Sequence, residues 1–250
     1  MPSDRTYGSF RPLANEQHLP YFEPGDLPRP DQDRPLHSAI AEFRGRIPPD
    51  GASDGDEDPP DYAECFRALE EKARELGLLY EGLQPAVEGG REHDITYDAA
   101  SGSCLKFTKP AKAAYVASFE LGYPSLAPAL PLEYLERQAL HNEIFADDIR
   151  FVGVAGQPFH RRIVTRQTHI CGKAASWEQI IRLMVDTLGF GKLRHNYGIG
   201  YEDSYAFIRD DVAVFDMRPA NVILEESGLI VPIDSIPVRL SPVSRSMFAP

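Results

Sequence analysis

The chain has 250 residues, 42% of them hydrophobic and 10% aromatic, which is enough for one sizeable core or two small ones and excludes a fully disordered protein. Its 38 acidic and 26 basic residues give a net charge of −12, which argues against direct nucleic-acid binding, since phosphate contacts need clustered Lys and Arg. The three cysteines contain no C-x-x-C pair, so neither a disulfide framework nor a structural zinc site is expected, and a reducing cytoplasm is favoured. There is no apolar leader and no apolar run near the roughly 20 residues that cross a bilayer, so neither secretion nor a membrane partner is expected.

Residues 1–58 are rich in proline and aspartate and end in the acidic run Asp50–Asp58. Such a segment buries too little apolar surface to offset its chain entropy. We therefore expect an extended or disordered arm, able to lie over the core, with one short helix near His37–Arg44.

From Pro60 onward the apolar spacing becomes regular. A helix is predicted from Asp61 to Gly77, and Ser176 with Gln179 forms a capping box for a second helix ending at Gly189. The other predicted elements are a hairpin of His93–Asp98 and Cys104–Lys109, a helix over Pro131–Phe145, and strands Ile149–Ala155, Arg161–Thr168, Tyr205–Ile208, Val212–Phe215, Val222–Leu224 and Leu229–Ile233. This order favours an α+β fold over a parallel doubly wound sheet.

The stretch around Asp216 carries the most specific chemistry. Asp216 and Asn221 have the D-x-x-x-x-N spacing of the kinase catalytic loop. Two short strands with a turn at Ser227-Gly228 follow and end at Asp234. Phosphoryl transfer needs a carboxylate near the attacking hydroxyl, and an amide oxygen with a second carboxylate to hold magnesium. We therefore predict Asp216 as base, Asn221 and Asp234 as metal ligands, and Arg218 beside the transferred phosphate.

A nucleotide site also needs a cation and a carboxylate that orients it. Lys106 lies mid-strand between apolar neighbours and is the preferred cation, with Lys109 as competitor. Glu136 falls within the apolar stripe of its helix, where a charge is expected to be paired or functional. Glu133, at the margin of the stripe, and Glu143, also predicted to face inward, are the alternatives.

The loop before the hairpin contains Gly89 and Gly90 but is not G-x-G-x-x-G. It is a weak candidate for covering a nucleotide, since an ordinary glycine turn has the same residues.

Together these residues resemble the serine/threonine/tyrosine kinase-like domain of polyvalent proteins from phages and mobile elements. The resemblance covers residues 86–240 and rests on the following segments, quoted from the sequence: GGREHDI, LKFTKP, LEYLER, HNEIFADDIR, RIVTRQ, DMRPAN and VPID.

The resemblance implies a protein-kinase-like two-lobed fold with an antiparallel sheet in the N-terminal lobe and ATP in the cleft near the strand Arg161–Thr168. The expected domains are the arm 1–58, a helix with the N-terminal lobe over 59–174, and an abbreviated C-terminal lobe over 175–250. It further implies that Lys106 binds the phosphates of ATP and pairs with Glu136, with Gly89 and Gly90 near the nucleotide.

The chain departs from kinases in ways that put peptide binding in doubt more than nucleotide binding. Val214 and Phe215 replace His-Arg before the catalytic Asp, Ser235 and Ile236 follow Asp234 in place of Phe-Gly, and few residues remain after that point.

The expected function is an ATP- and Mg-dependent kinase-like phosphotransferase acting on a protein or small-molecule hydroxyl. The alternative is a pseudokinase-like nucleotide-binding or protein-interaction module without turnover. A metal-dependent hydrolase is disfavoured, because the seven histidines are scattered and none lies in H-E-x-x-H.

Overall fold

A computed structural model describes residues 27–45, 62–110 and 112–248. Most of the predicted arm, including the run Asp50–Asp58, lies outside the described residues, and so does the predicted helix N-cap Asp61.

The described chain contains five α-helices and fifteen strands. The helices are α1 (Leu36–Arg44), α2 (Tyr62–Glu75), α3 (Pro131–Phe145), α4 (Trp177–Ile181), which continues as a π-helix over Arg182–Thr187, and α5 (Pro242–Ser246); 3-10 turns cover Pro30–Gln32 and Pro219–Asn221. The strands are β1 (Arg34–Pro35), β2 (Leu79–Tyr80), β3 (His93–Asp98), β4 (Ser103–Thr108), β5 (Tyr115–Ser118), β6 (Ser125–Pro128), β7 (Arg150–Ala155), β8 (Arg162–Thr168), β9 (Gly172–Ala174), β10 (Gly191–Lys192), β11 (Tyr205–Arg209), β12 (Val212–Met217), β13 (Val222–Glu225), β14 (Ile230–Pro232) and β15 (Ile236–Arg239).

The strands form three sheets and a separate hairpin. The first sheet has the order β1-β7-β8-β4-β3, with β2 also beside β7; the second is β10-β11-β12-β15, the third is β14-β13-β9, and β5 pairs with β6. All pairings are antiparallel except that of β2 with β7. The combination of α-helices with mostly antiparallel sheets confirms the α+β fold class.

Four groups of apolar side chains form the core of the described chain, and the two largest lie against the helices. Helices α1, α2 and α3 cover the first sheet and bury residues such as Phe43, Leu69 and Phe151. The second and third sheets share a separate cluster with α4, centred on Ile180, Met184 and Val214. The link between β8 and β9 carries the chain from the first sheet to the third.

The described part of the N-terminal segment belongs to the core, which its composition did not indicate. The short helix predicted at His37–Arg44 is present as α1, and it buries Leu36 and Phe43. Asp33 is buried and accepts a hydrogen bond from Arg166 Nε on β8 at 2.5 Å. A buried ion pair therefore fixes residues 27–45 to the first sheet.

Most of the predicted elements are present within one or two residues of their expected bounds. The capping box of α4 is confirmed, because Ser176 Oγ accepts from the Gln179 amide at 3.3 Å and Gln179 Oε1 accepts from the Ser176 amide at 2.8 Å. The unpredicted elements are the hairpin β5–β6, strands β1, β2, β9, β10 and β15, and helix α5. Strand β9 has only three residues and the hairpin strands four each, too few for a periodic pattern.

Within the described ranges, no helix has the length and apolar character needed to cross a membrane.

Candidate functional site

Strand register brings the predicted catalytic segments together. Phe215 of β12 lies opposite Ile236 of β15, so Asp216 emerges where the segment that follows Asp234 enters the second sheet. Val222 of β13 lies opposite Pro232 of β14. Asn221 and Ile233 are therefore neighbours, and the Asn221 carbonyl accepts the Ile233 amide at 2.9 Å.

Arg137 of α3 connects four segments at this place. Its side chain is 2% exposed and donates four hydrogen bonds. The acceptors are the Ser235 carbonyl at 2.9 Å, the Tyr115 carbonyl at 2.7 Å, Glu92 Oε2 at 2.8 Å and Asp234 Oδ1 at 3.1 Å. One guanidinium thus joins α3, β5, the loop before β3 and the segment between β14 and β15.

Lys106 reaches the same segment from the first sheet. It lies in β4, and its Nζ donates to the Ile233 carbonyl at 2.7 Å, one residue before Asp234. Burial alone would raise the pKa of Asp234, but the positive charges of Lys106 and Arg137 hold that pKa below its usual range. The Asp234 side chain remains 36% exposed, so one side of the carboxylate faces solvent.

The Asp216 carboxylate is fixed by both of its oxygens. Oδ1 accepts the Tyr201 amide at 2.9 Å, and Oδ2 accepts Asn221 Nδ2 at 2.8 Å. The residue has φ 57°, an uncommon value for a non-glycine residue and one that concentrates at functional sites. Burial raises the pKa of Asp216, and repulsion from Asp234 adds to the rise.

A glycine-containing loop lies against Asp216. A Cβ on Gly200, which has φ 87°, would lie 2.5 Å from Asp216 Oδ1, so no side chain fits there. The next residue, Tyr201, stacks on Arg218, with the guanidinium carbon 3.6 Å from the ring centroid, and Arg91 approaches the same ring at 5.6 Å. Arg218 Nε is 3.8 Å from Asp216 Oδ1. Arg218 therefore lies beside the predicted base.

Asn221 has its amide oriented by Asp216. Its Nδ2 donates to the carbonyl of Asp216 at 2.8 Å as well as to the carboxylate. The hydrogen bonds of the described residues give Asn221 Oδ1 no donor. The amide oxygen is thus the atom left to bind a ligand.

Glu92 and His93, at the start of β3, complete the group. His93 is buried, and its Nε2 lies 3.0 Å from Tyr134 Oη. Burial lowers the pKa of His93 to about 3, so the ring is neutral. Burial raises the pKa of Glu92, against the opposing charge of Arg137.

The expected partner of Lys106, Glu136, is not in the site. Glu136 Oε1 accepts from Arg44 Nη2 at 2.7 Å at the surface contact of α1 with α3, so the expected Lys106–Glu136 pair is wrong in this structure. On α3 the inward position next to Glu136 is taken by Arg137.

The two alternative carboxylates are also elsewhere. Glu143 is 56% exposed and forms an ion pair with Arg239 at 2.6 Å, so the prediction that it faces inward is wrong. Glu133 accepts the Leu130 amide at 2.7 Å at the start of α3.

The loop with Gly89 and Gly90 folds back on β3. The Gly89 amide donates to Asp94 Oδ1 at 2.9 Å, and a Cβ at Gly89 would lie 2.2 Å from the His93 carbonyl oxygen. Gly90 is exposed in the same loop. Lys109, the competitor of Lys106, forms an ion pair with Asp94 and so stabilises this loop. The loop leads directly into Glu92.

Sequence reasoning missed Glu92, His93, Arg137, His141 and Tyr201. A signal existed for two of them, because Tyr134, Arg137 and His141 recur at helical spacing and share one buried face of α3. His141 Nδ1 lies 3.0 Å from Ser235 Oγ. Arg137 and His141 lie at core spacing as Glu136 does, so the same reasoning predicts that they are paired or functional.

Two surface hollows are lined by none of these residues. One is lined by Pro242, Arg245 and Phe248, and the other by Lys192, His195 and Ser204. The groups around Asp234 instead contact one another directly. A ligand that enters between Lys106 and Asp234 must displace the Lys106 bond to Ile233.

Comparisons of the chain with protein-family models, with curated proteins and with solved structures found no match in any of the three.

The central position of Arg137 predicts a large cost for its removal. Arg137→Met leaves Glu92 buried without its counter-charge, and we expect a loss of about 3–5 kcal/mol in the free energy of unfolding. Arg44→Met removes an exposed pair and should cost about 1 kcal/mol or less. Urea denaturation compares the two variants. Adding Glu92→Gln to Arg137→Met should recover part of the loss, and equal small losses in both single variants would contradict the role of Arg137.

The buried neutral His93 predicts a specific pH dependence of stability. Its pKa is about 3 in the folded chain against 6.5 for an ordinary histidine. Between these values the unfolded chain binds the proton and the folded chain does not, so stability falls as the pH drops from about 6.5 toward 3. From pH 7.5 to pH 5 this contribution is about 2 kcal/mol.

His93→Gln should lack this part of the pH dependence, while the exposed His160→Gln should keep it. Urea midpoints measured across this pH range test the difference. Parallel profiles for wild type and His93→Gln would exclude a neutral buried His93.

Proposed function

We propose that the chain is an ATP- and Mg-dependent, kinase-like phosphotransferase that moves the γ-phosphate to a hydroxyl of a protein or small molecule, with the two-lobed arrangement that this chemistry uses. The observation that carries the proposal is the convergence of three separate segments. Lys106 of β4 donates a hydrogen bond to the residue before Asp234. Asn221, in the 3-10 turn after β12, donates a hydrogen bond to Asp216 at the end of β12.

Lys106 would bind the phosphates of the substrate ATP. Its amine is held by a single carbonyl, a partner that a phosphate oxygen can replace with a stronger charge-assisted bond. Arg218, beside Asp216, would stabilise charge on the transferred phosphoryl group, and its stacking on Tyr201 fixes its position.

Asp216 would orient the acceptor hydroxyl and take its proton. Each carboxylate oxygen accepts one hydrogen bond from the chain and keeps a second lone pair. The raised pKa of this carboxyl brings it nearer to the working pH of a general base.

The donor atoms near Asp216 fit magnesium. Asn221 Oδ1 and the Asp234 oxygen not bonded to Arg137 are hard oxygen ligands, and they would hold the ion. When bound, magnesium supplies charge neutralisation of the phosphates.

One observation favours the alternative of a nucleotide-binding or interaction module without turnover. Glu136 pairs with Arg44, and among the described residues Lys106 forms no ion pair with a carboxylate in its place. The Lys–Glu pair is a requirement of active protein kinases. If Arg137 does not take over the orienting effect of the missing Lys–Glu pair, the chain would bind nucleotide without efficient phosphate transfer.

Two substitutions separate these functions. Asp234→Asn weakens the magnesium site and should abolish most of the thermal stabilisation by ATP with magnesium, which is about 2.7 kcal/mol at one hundred times the dissociation constant. Asp216→Asn should leave that stabilisation nearly intact but lower phosphate transfer about 10²–10⁴-fold. Thermal shift and transfer of radiolabelled phosphate, to the chain itself and to mixed acceptors, measure the two effects.

The surface variant Asp211→Asn is the matched control and should behave as wild type in both assays. Stabilisation without transfer in the wild type would favour the binding module. Equal stabilisation of wild type and Asp234→Asn would remove Asp234 from the site.

A further inference from the structure

Three side chains from two segments of the chain meet beside Arg137. Among the described residues, Glu92, His93 and Asp234 form a group in which each residue offers one ligand atom and all these atoms lie within 4.8 Å of one another. We propose that Glu92, His93 and Asp234 form a binding site for a divalent transition-metal ion such as Mn²⁺ or Zn²⁺, distinct from the magnesium position assigned to Asn221 and Asp234.

The neighbours of the three residues orient each of them through one atom and leave another free. Arg137 binds Glu92 through Oε2 and Asp234 through Oδ1. Tyr134 Oη contacts His93 through Nε2, and the same hydroxyl lies 3.2 Å from Thr165 Oγ1. Glu92 Oε1, Asp234 Oδ2 and His93 Nδ1 take part in none of these contacts and are open to a ligand. Partners of this kind fix ligand orientation in metal sites.

The imidazole decides the class of metal. Neutral imidazole nitrogen suits Zn²⁺, Fe²⁺ and related ions, whereas Mg²⁺ is bound by oxygen. His93 is buried, with its Nε2 3.0 Å from Tyr134 Oη, so the orientation of the ring is fixed before a metal binds.

This site shares Asp234 with the proposed nucleotide site but does not rest on turnover. The metal-binding group is complete in the chain itself, so it is tested without nucleotide. A failure of phosphate transfer leaves the proposal intact, and a failure of metal binding leaves the assignment of Asp216 and Lys106 intact.

The test is a titration of the chelator-treated full chain with Mn²⁺, in which electron paramagnetic resonance measures the free ion, and with Zn²⁺ in competition with a chelator. We expect one ion per wild-type chain. His93→Gln should weaken Mn²⁺ and Zn²⁺ binding at least about 10-fold, since a change even in the partners of metal ligands costs that much. His160→Gln, which removes an exposed histidine, should bind as wild type. Wild-type affinity in His93→Gln, or no stoichiometric binding by the wild type, would overturn the site.

A spectroscopic measurement on the wild type covers the case in which His93→Gln does not fold. Pulsed electron paramagnetic resonance of the Mn²⁺-loaded chain should detect coupling to an imidazole nitrogen. That signal should persist in His160→Gln. A bound ion without nitrogen coupling in the wild type would show a carboxylate-only site and refute the assignment of His93.

Discussion

The guanidinium of Arg137 is the constraint on which the candidate site depends. It is almost fully buried and pairs with two carboxylates, so its four acceptors must stay in place. Because the acceptors come from the loop before β3, from β5 and from the segment after β14, the first sheet and the C-terminal strands meet at this side chain. The position of Asp234 is therefore a consequence of α3 packing.

The charge that α3 places near Lys106 differs from the predicted one. The expected pairing would place a carboxylate on α3 against Lys106, whereas α3 presents a cation and binds the Asp234 segment directly. Lys106 is then oriented by the Ile233 carbonyl. Both cations stabilise the ionised form of Asp234, the form that a metal requires. The neutral His93 beside them gives the site a ligand with different metal preference.

Local features could be predicted well from the sequence, whereas contacts between residues distant in the chain could not. The D-x-x-x-x-N spacing and the following hairpin were sufficient to bring Asp216, Asn221 and Asp234 to adjacent strand ends, since short antiparallel strands fix their own register. Glu136 could not be assigned, because its helix has apolar residues on more than one side and its partner, Arg44, lies in a segment whose composition did not predict packing. The spacing of Arg137 on α3 indicates a buried position, but its acceptors are distant in the chain and the sequence does not predict them.

The central claim is that phosphates bind between Lys106 and Asp234. A crystal structure of the chain with magnesium and a non-hydrolysable ATP analogue tests it most directly. We expect that Lys106 Nζ leaves the Ile233 carbonyl for a phosphate oxygen, that Asp234 keeps its bond to Arg137, and that magnesium contacts Asp234 and Asn221. A nucleotide bound elsewhere, with the Lys106–Ile233 bond intact, would contradict it.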